Sequence, residues 1–370
     1  MEERGWEIFA PEEEEPDKDS EVFFNPAMKL NRDLSEIAAK VFRNEAEIDE
    51  FRVCDPMSAS GIRGFRYSSI AEELHLSDVN PQAIESIEAG LEANGIEADV
   101  HEEDANVLLS RYRNFFHLID IDPFGPFTKF LDSTARAANH SSFVGLTATD
   151  NGAASGSYAT VCRRRYGSKP IRNSFMHETG LRIYIKEAFR NFARFDKCFE
   201  PKVCFQERHY SRVMGRVTES KSRTNQNLEN IGYLTYCPEC RWRKLERKQE
   251  CGFCGSQDID HAGPLWTGDL GDQRFTEKML EETPEEWRDA REYTETLNRE
   301  YDIRRPFYEI HEMSSELDVQ APRTDNVVQH LRDRGYMVSK THFEPTGVRT
   351  DAPFKDVRKA IEEESTSHTD

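Results

Sequence analysis

The sequence predicts a doubly wound α/β fold with a parallel sheet, followed by a smaller α+β unit. Three observations carry this. Between Phe51 and Ala148 short apolar runs alternate with helix-spaced segments, the rhythm of βαβ units. Acidic residues, Asp78 and Asp122, stand where the second and fourth of those runs stop. Two Cys-x-x-Cys pairs, Cys237/Cys240 and Cys251/Cys254, mark a separate module downstream.

Composition narrows the class. At 370 residues the chain has room for two domains and a full core. No apolar run approaches the roughly 18 residues that span a bilayer, and Met1-Glu2-Glu3-Arg4 lacks the basic and apolar regions of a signal peptide. The expectation is a soluble cytoplasmic protein with no membrane contact, and a monomer by default. Cys54, Cys162, Cys198 and Cys204 form no framework. In a reducing compartment paired Cys-x-x-Cys motifs are metal ligands more often than disulfides. The net charge is −20, from 69 acidic and 49 basic residues. Such a surface repels nucleic acid in dilute buffer. At 1 M salt the screening length falls to about 3 Å, and an acidic, lysine-poor surface leads us to expect a halophilic setting.

Residues 1–20, with the acidic run Glu12–Glu15, read as a solvated arm. Two aromatics, Phe23 and Phe24, precede a turn at Asn25-Pro26, and a helix follows to about Val41. Arg32 on that helix is placed to grip a carboxylate bidentately, or to be an ordinary surface arginine. Phe51–Asp55 reads as the first strand. It runs into Pro56–Gly64, whose small residues let a ligand approach a helix start, although no Gly-x-Gly-x-x-Gly is present. Leu74–Ser77 is the second strand. It ends at Asp78, 17 residues beyond Gly61, where an acid can take ribose hydroxyls. Pro81 opens the next helix and Gly95 closes it. Asp99–His101 is the third strand, and Val107–Arg113 is helical. Phe116–Ile121 is the fourth strand, and it must stop at Asp122-Pro123 because proline cannot continue a central ladder. The Asp122 carboxylate, the Pro123 carbonyl and the Phe124 ring then suit a planar base bearing an exocyclic amine; a plain tight turn is the alternative. Leu131–Ala138 is helical and Phe143–Ala148 is the fifth strand. An acidic tip on strand two, without a phosphate loop on strand one, favours S-adenosylmethionine over a dinucleotide.

Beyond Asp150, Arg163–Arg172 puts five Arg or Lys and a Tyr into ten residues. Next to the expected pocket mouth, that island points to phosphate contacts. Leu181 to Phe195 has helical core spacing, with His177 and Glu178 as structural or capping residues at its start. Lys202–Gln206 and Val213–Thr218 are expected to complete the sheet. The cysteine pairs are ten residues apart, and four thiolates suit tetrahedral zinc with no position left for water, hence a structural ion. A charged helix is expected over Phe275–Tyr301. Two further helices and a hairpin near 306–343 resemble a winged-helix unit, with Thr341-His342-Phe343 and Gly347–Asp351 as candidate RNA contacts. The end, Glu362–Asp370, reads as frayed.

Taken in order, these stretches resemble the archaeal and eukaryotic tRNA guanine-26 N2-dimethyltransferases. The matching motifs are Phe-Phe-Asn-Pro-Ala-Met-Lys-Leu-Asn-Arg-Asp-Leu-Ser at 23–35, Ser-Ala-Ser-Gly-Ile-Arg-Gly at 58–64, Asp-Pro-Phe-Gly at 122–125 and Thr-Ala-Thr-Asp at 147–150. Gly-Pro-Leu-Trp-Thr-Gly at 263–268, Arg-Thr-Asp-Ala-Pro at 349–353 and the four cysteines match as well. Phe24 departs from the pattern, which usually has tyrosine there. The resemblance implies a Rossmann-like class I methyltransferase domain over 1–233 and a zinc-containing tRNA-binding domain over 234–370. It implies that Arg32, Arg63, Asp78, Asp104 and Ala105 hold S-adenosylmethionine. It implies that Asp122 and the Pro123 carbonyl grip the guanine amine between the rings of Phe23 and Phe124. Competing expectations are an adenine N6 methyltransferase, disfavoured because Gly125 stands where a second proline would, and a non-catalytic zinc-containing RNA-binding protein.

Overall fold

The computed structural model describes residues 1–11 and 20–366; the run Glu12–Glu15 lies outside them. The start of the chain is not a loose arm. Glu2–Glu3 (β1) and Trp6–Glu7 (β2) form a small hairpin, and Glu3 is buried because Arg32 and Arg66 both bind it.

The helix after Asn25-Pro26 runs Lys29–Ala46 (α1), further than its apolar spacing indicated. The winding then proceeds as expected: Arg52–Asp55 (β3), Ile62–Ser68 (α2), Glu73–Asp78 (β4), Pro81–Asn94 (α3), Asp99–Glu102 (β5), Ala105–Arg111 (α4), Phe116–Ile121 (β6), Leu131–Ala137 (α5) and Ala138–Ala148 (β7). Two short helices, Asn151–Ala154 (α6) and Ala159–Tyr166 (α7), precede the long buried helix Met176–Ala193 (α8). An antiparallel pair, Lys197–Glu207 (β8) and Tyr210–Glu219 (β9), completes a seven-stranded sheet of order β5-β4-β3-β6-β7-β9-β8. The order reverses between β3 and β6. At such a reversal the loops diverge and leave a crevice at the strands' C-terminal ends.

Lys221–Asn227 (α9) leads to a second sheet made of Ile231–Tyr236 (β10), Arg243–Lys244 (β11) and Asp260–Trp266 (β12). The expected domain border at 233/234 therefore falls inside β10. Nor does the core divide there: Leu234, Leu265, Trp266, Phe275 and Leu297 belong to the same apolar cluster as the large sheet. The charged stretch expected as one helix is two, Gln273–Glu282 (α10) and Arg288–Tyr301 (α11), because Pro284 interrupts it.

Tyr308–Glu309 (β13), Ile310–Leu317 (α12), Thr324–Asp333 (α13), Val338–Lys340 (β14) and Gly347–Thr350 (β15) make the winged unit, with sheet order β13-β15-β14. Phe354–Thr366 (α14) packs on it, so the end expected to fray is helical up to Thr366. Cys237, Cys240 and Cys251 share this second apolar core.

The outer edge of the large sheet is closed by groups from the C-terminal half. Asp272 N–H donates to the Lys202 carbonyl at 3.0 Å. The Tyr301 hydroxyl takes the Cys204 N–H at 3.1 Å and donates to its carbonyl at 2.9 Å. His342 Nε2 takes the Gln206 N–H at 3.2 Å, and the Tyr293 hydroxyl donates to the Gln206 carbonyl at 3.0 Å. The loose backbone groups of β8 at 202, 204 and 206 are thus satisfied without another strand. No helix is long and apolar enough to cross a membrane among the described residues.

Candidate active site

A cavity of about 830 Å³ opens at the β3/β6 crevice. Its walls include Phe23, Arg32, Asp55, Arg63, Asp78, Asp104, Ala105, Asp122, Pro123 and Phe124. Every residue expected at the cofactor and base sites therefore lines one space.

The turn that presents Asp122 is set by Gly125, whose φ of +88° only glycine adopts readily. Thr149, at the end of β7, fastens that turn: its Oγ1 accepts the Gly125 N–H at 2.7 Å, and its own N–H donates to the Gly125 carbonyl at 3.1 Å. Asp122 is held from one side only. Arg63 Nη2 donates to Asp122 Oδ2, while Oδ1 has no partner among the described residues. Arg63 is itself fixed from below, by Asn31 Oδ1 at 3.1 Å and Asp120 Oδ2 at 3.3 Å. Asp120 lies at the bottom of this ladder. It takes a bidentate pair from Arg212 at 2.7 and 2.6 Å and the Tyr67 hydroxyl. Burial pushes the Asp120 carboxyl up, but Arg212 and Arg63 outweigh it and hold it well below the usual carboxylate range.

Sequence reading missed this ladder. Its signal was a lone Asp in the fully buried strand Phe116–Ile121, which demands a buried cation elsewhere in the chain. Asp55 was missed too, although Asp55-Pro56 ends β3 just as Asp122-Pro123 ends β6. Asp55 is buried, and its Oδ2 is unpartnered. Burial raises its pKa to about 7; Arg63 opposes that rise, while Asp120 and Asp122 add to it.

Two expectations need correction. Arg32 is not a free carboxylate grip. Its Nε and Nη2 already bind Glu3 at 2.8 and 2.5 Å, and Nη2 also meets the Asn25 carbonyl at 3.1 Å. Phe23 and Phe124 are not poised as a sandwich: their centroids lie 4.7 Å apart at 77°, an edge-to-face contact with no slot between the rings. Phe124 is 51 % exposed, so it is the ring with room to swing. On the opposite wall Asp78 takes the Ala59 and Asn80 N–H groups at 2.9 Å each, and Asp104 caps α4 through the Asn106 N–H at 2.8 Å.

In the cysteine module the Cys237 and Cys254 sulfurs are 3.7 Å apart, and those of Cys240 and Cys251 are 3.5 Å apart. All four lie within 4.8 Å of one another. Bonds of about 2.3 Å from a tetrahedral zinc place sulfurs about 3.8 Å apart, so the set fits that ion. Of the candidate RNA contacts of the winged unit, Thr341 and Gly347–Thr350 are instead buried, and His342 turns its ring inward. Thr341 and His342 both bind Glu300, and Arg349 bridges Glu300 to Glu178.

A sheet of this order, with an acid-rimmed crevice at its reversal, defines a class I methyltransferase. The comparisons name the branch. Residues 8–362 match the family model described as N2,N2-dimethylguanosine tRNA methyltransferase. The chain is 36% identical over 352 residues to the tRNA (guanine(26)-N(2))-dimethyltransferase of Methanothermobacter thermautotrophicus, covering 92% of each chain. It is 34% identical over 368 residues to the enzyme of the same name from Methanosphaera stadtmanae, covering 96% of this chain and 94% of that one. The solved structure of Trm1 from Pyrococcus horikoshii with S-adenosyl-L-methionine superposes with a TM-score of 0.85 at 28% identity, covering 96% and 97% of the two chains. This chain belongs to the N2,N2-dimethylguanosine tRNA methyltransferase family.

Proposed function

We propose that this enzyme transfers one and then two methyl groups from S-adenosylmethionine to the exocyclic N2 of guanine 26 in tRNA. The observation that carries the reading is Asp122: a carboxylate on the cavity rim, clamped through Oδ2 by Arg63 and open at Oδ1. The donor supplies a methyl already activated on a sulfonium. The protein needs mainly to orient the amine. Asp122 Oδ1 and the Pro123 carbonyl accept its two N–H bonds and pull the nitrogen towards tetrahedral geometry. Asp122 then takes the departing proton. After one transfer a single N–H remains, one acceptor suffices, and a second methyl can follow. The guanine must leave its stack to reach this depth, and Phe124 swings from Phe23 to cover it.

Asp78 faces the ribose of the donor, and Asp104 with Ala105 its adenine. Arg63 and Arg32 are the nearby cations for its carboxylate, Arg32 once it shares Glu3. Asp55 completes this set with a free acceptor for the cationic end. Cys237, Cys240, Cys251 and Cys254 would hold a structural zinc, since four thiolates would leave no position for water. We assign that module and the winged unit to tRNA binding. The acidic surface supports assay in high KCl. The test is incubation with unmodified tRNA and labelled donor, followed by mapping and mass spectrometry of nucleosides. N2-methylguanosine and then N2,N2-dimethylguanosine at position 26 are expected. Label on adenine N6, or none, overturns the reading.

A further inference from the structure

The acidic balance of this chain sharpens one question: where can a polyanion land? With 69 acids against 49 bases, many exposed cations sit beside a carboxylate, as Arg304 does on Asp269 and Lys278 on Glu45. In the zinc module, Lys244 and Lys248 share Glu246, and Arg241 faces Glu312. Among the described residues, exposed arginines without an ion pair also stand singly elsewhere, Arg113, Arg190 and Arg274 among them, but in one segment three fall within ten residues. Arg163, Arg164 and Arg172 are exposed and make no ion pair among the described residues.

The local fold explains the exposure. On α7, Cys162 and Tyr166 are one helical turn apart and point into the core, so Arg163 and Arg164 are turned outward. Tyr158, just ahead of the helix, is 66 % exposed. The segment is also rigidly joined to the cavity rim. Thr149 lines the cavity, and the next residue, Asp150, takes the Tyr166 hydroxyl at 2.8 Å, Arg165 at 2.9 Å and the Tyr184 hydroxyl at 3.2 Å. Lys129, also on the cavity wall, adds a cation at the mouth.

Resting on the tRNA reading above, we propose that α7 and its flanks are the platform that grips the tRNA backbone beside the extruded guanosine. Arg163, Arg164 and Arg172 contact phosphates, and Tyr158 stacks on an unpaired base or sugar. A protein repelled by polyanions overall needs its attraction concentrated at the one rim where a nucleotide must be held out of its helix. Phosphate contacts release condensed counterions, so each leaves a countable mark in the salt dependence of binding. A stacked ring leaves none.

The test measures binding of an unmodified tRNA transcript to the full chain by fluorescence anisotropy from 0.1 to 1 M KCl, together with donor affinity and methyl transfer. The triple variant Arg163→Ala/Arg164→Ala/Arg172→Ala should weaken tRNA binding at least about tenfold at low salt. It should also flatten the slope of log K against log salt by about two to three units, at 0.7–0.9 per lost phosphate contact. Donor affinity, and kcat at saturating tRNA, should stay within about twofold. The matching triple lysine variant should restore the slope, and Tyr158→Ala should lower affinity with the slope unchanged. An unchanged slope in the triple alanine variant overturns the platform. A wild type that binds tRNA but transfers nothing overturns the activity instead, with the slope comparison still deciding the platform.

Discussion

Two buried charge networks run through this molecule, and they are finished differently. One sits at the joint between the large sheet and the winged unit. Glu178 meets Arg182, Arg349 and the Phe307 N–H, while Glu300 meets Thr341, His342 and Arg349. Both oxygens of each glutamate are engaged. The other network lies under the cavity. At its lower end both oxygens of Asp120 are likewise engaged, by Arg212. Its upper end is not: Asp55 Oδ2 and Asp122 Oδ1 have no partner among the described residues, and both residues face the cavity. Asp55 Oδ2 is buried, and a buried acceptor without a donor is costly. That cost persists where a ligand is to supply the donor. The completed glutamates lock the joint, and the open acceptors of Asp55 and Asp122 face the cavity.

The contrast can be broken at four points. The largest effect is expected from zinc, whose binding to such modules is worth about 10–16 kcal/mol. Chelation, or Cys240→Ser, should unfold the C-terminal core; circular dichroism and limited proteolysis report it, and one zinc per chain by elemental analysis should accompany the intact fold. Next is the lock. Arg349→Ala removes the cation that two buried glutamates share and should cost about 3–5 kcal/mol, read as a lower denaturation midpoint. Burial raises the carboxyls of Glu178 and Glu300, but their cations outweigh it and lower them below the ordinary glutamate value. Their stabilisation is therefore present above about pH 4.3 and lost as pH falls, and Arg349→Ala should diminish that acid sensitivity. Third, Asp122→Ala should reduce methyl transfer at least about 100-fold with little change in melting temperature; near-normal turnover would remove Asp122 from the chemistry. Smallest is Asp55. Its pKa of about 7 lies above the unfolded value. Its protonation therefore favours the fold at low pH, and that contribution is lost as pH rises towards 7. A cationic donor prefers the ionised form. Affinity by calorimetry should rise several-fold from pH 6 to 8 in the wild type and stay flat in Asp55→Asn. An equal rise in the variant would exclude Asp55 from the donor site.

Much of the first half was legible because its signals are local. Alternating apolar runs, Pro81 and Gly95 around one helix, and Asp122-Pro123 at a strand end need only neighbours in sequence to be read. What escaped depends on partners far apart. Glu3 reaches Arg66 across 63 residues, Arg212 reaches Asp120 across 92, and Arg349 reaches Glu178 across 171. The domain border failed for a related reason: nothing in the sequence of strand β10 records that Leu234 joins the apolar core of the sheet before it. The RNA contacts expected at His342 and Arg349 failed because basic side chains look alike whether they face phosphate or a buried glutamate.

The closed edge of β8 has a consequence for how the molecule comes apart. Tyr293 and Tyr301 of α11 and His342 of the winged unit hold that edge by its backbone, so the C-terminal half cannot lift away without baring an unpaired strand in water, where a second chain could add to it. Heating should accordingly show one cooperative transition with equal calorimetric and van't Hoff enthalpies, and any condition that splits it in two should be the condition under which the protein begins to aggregate.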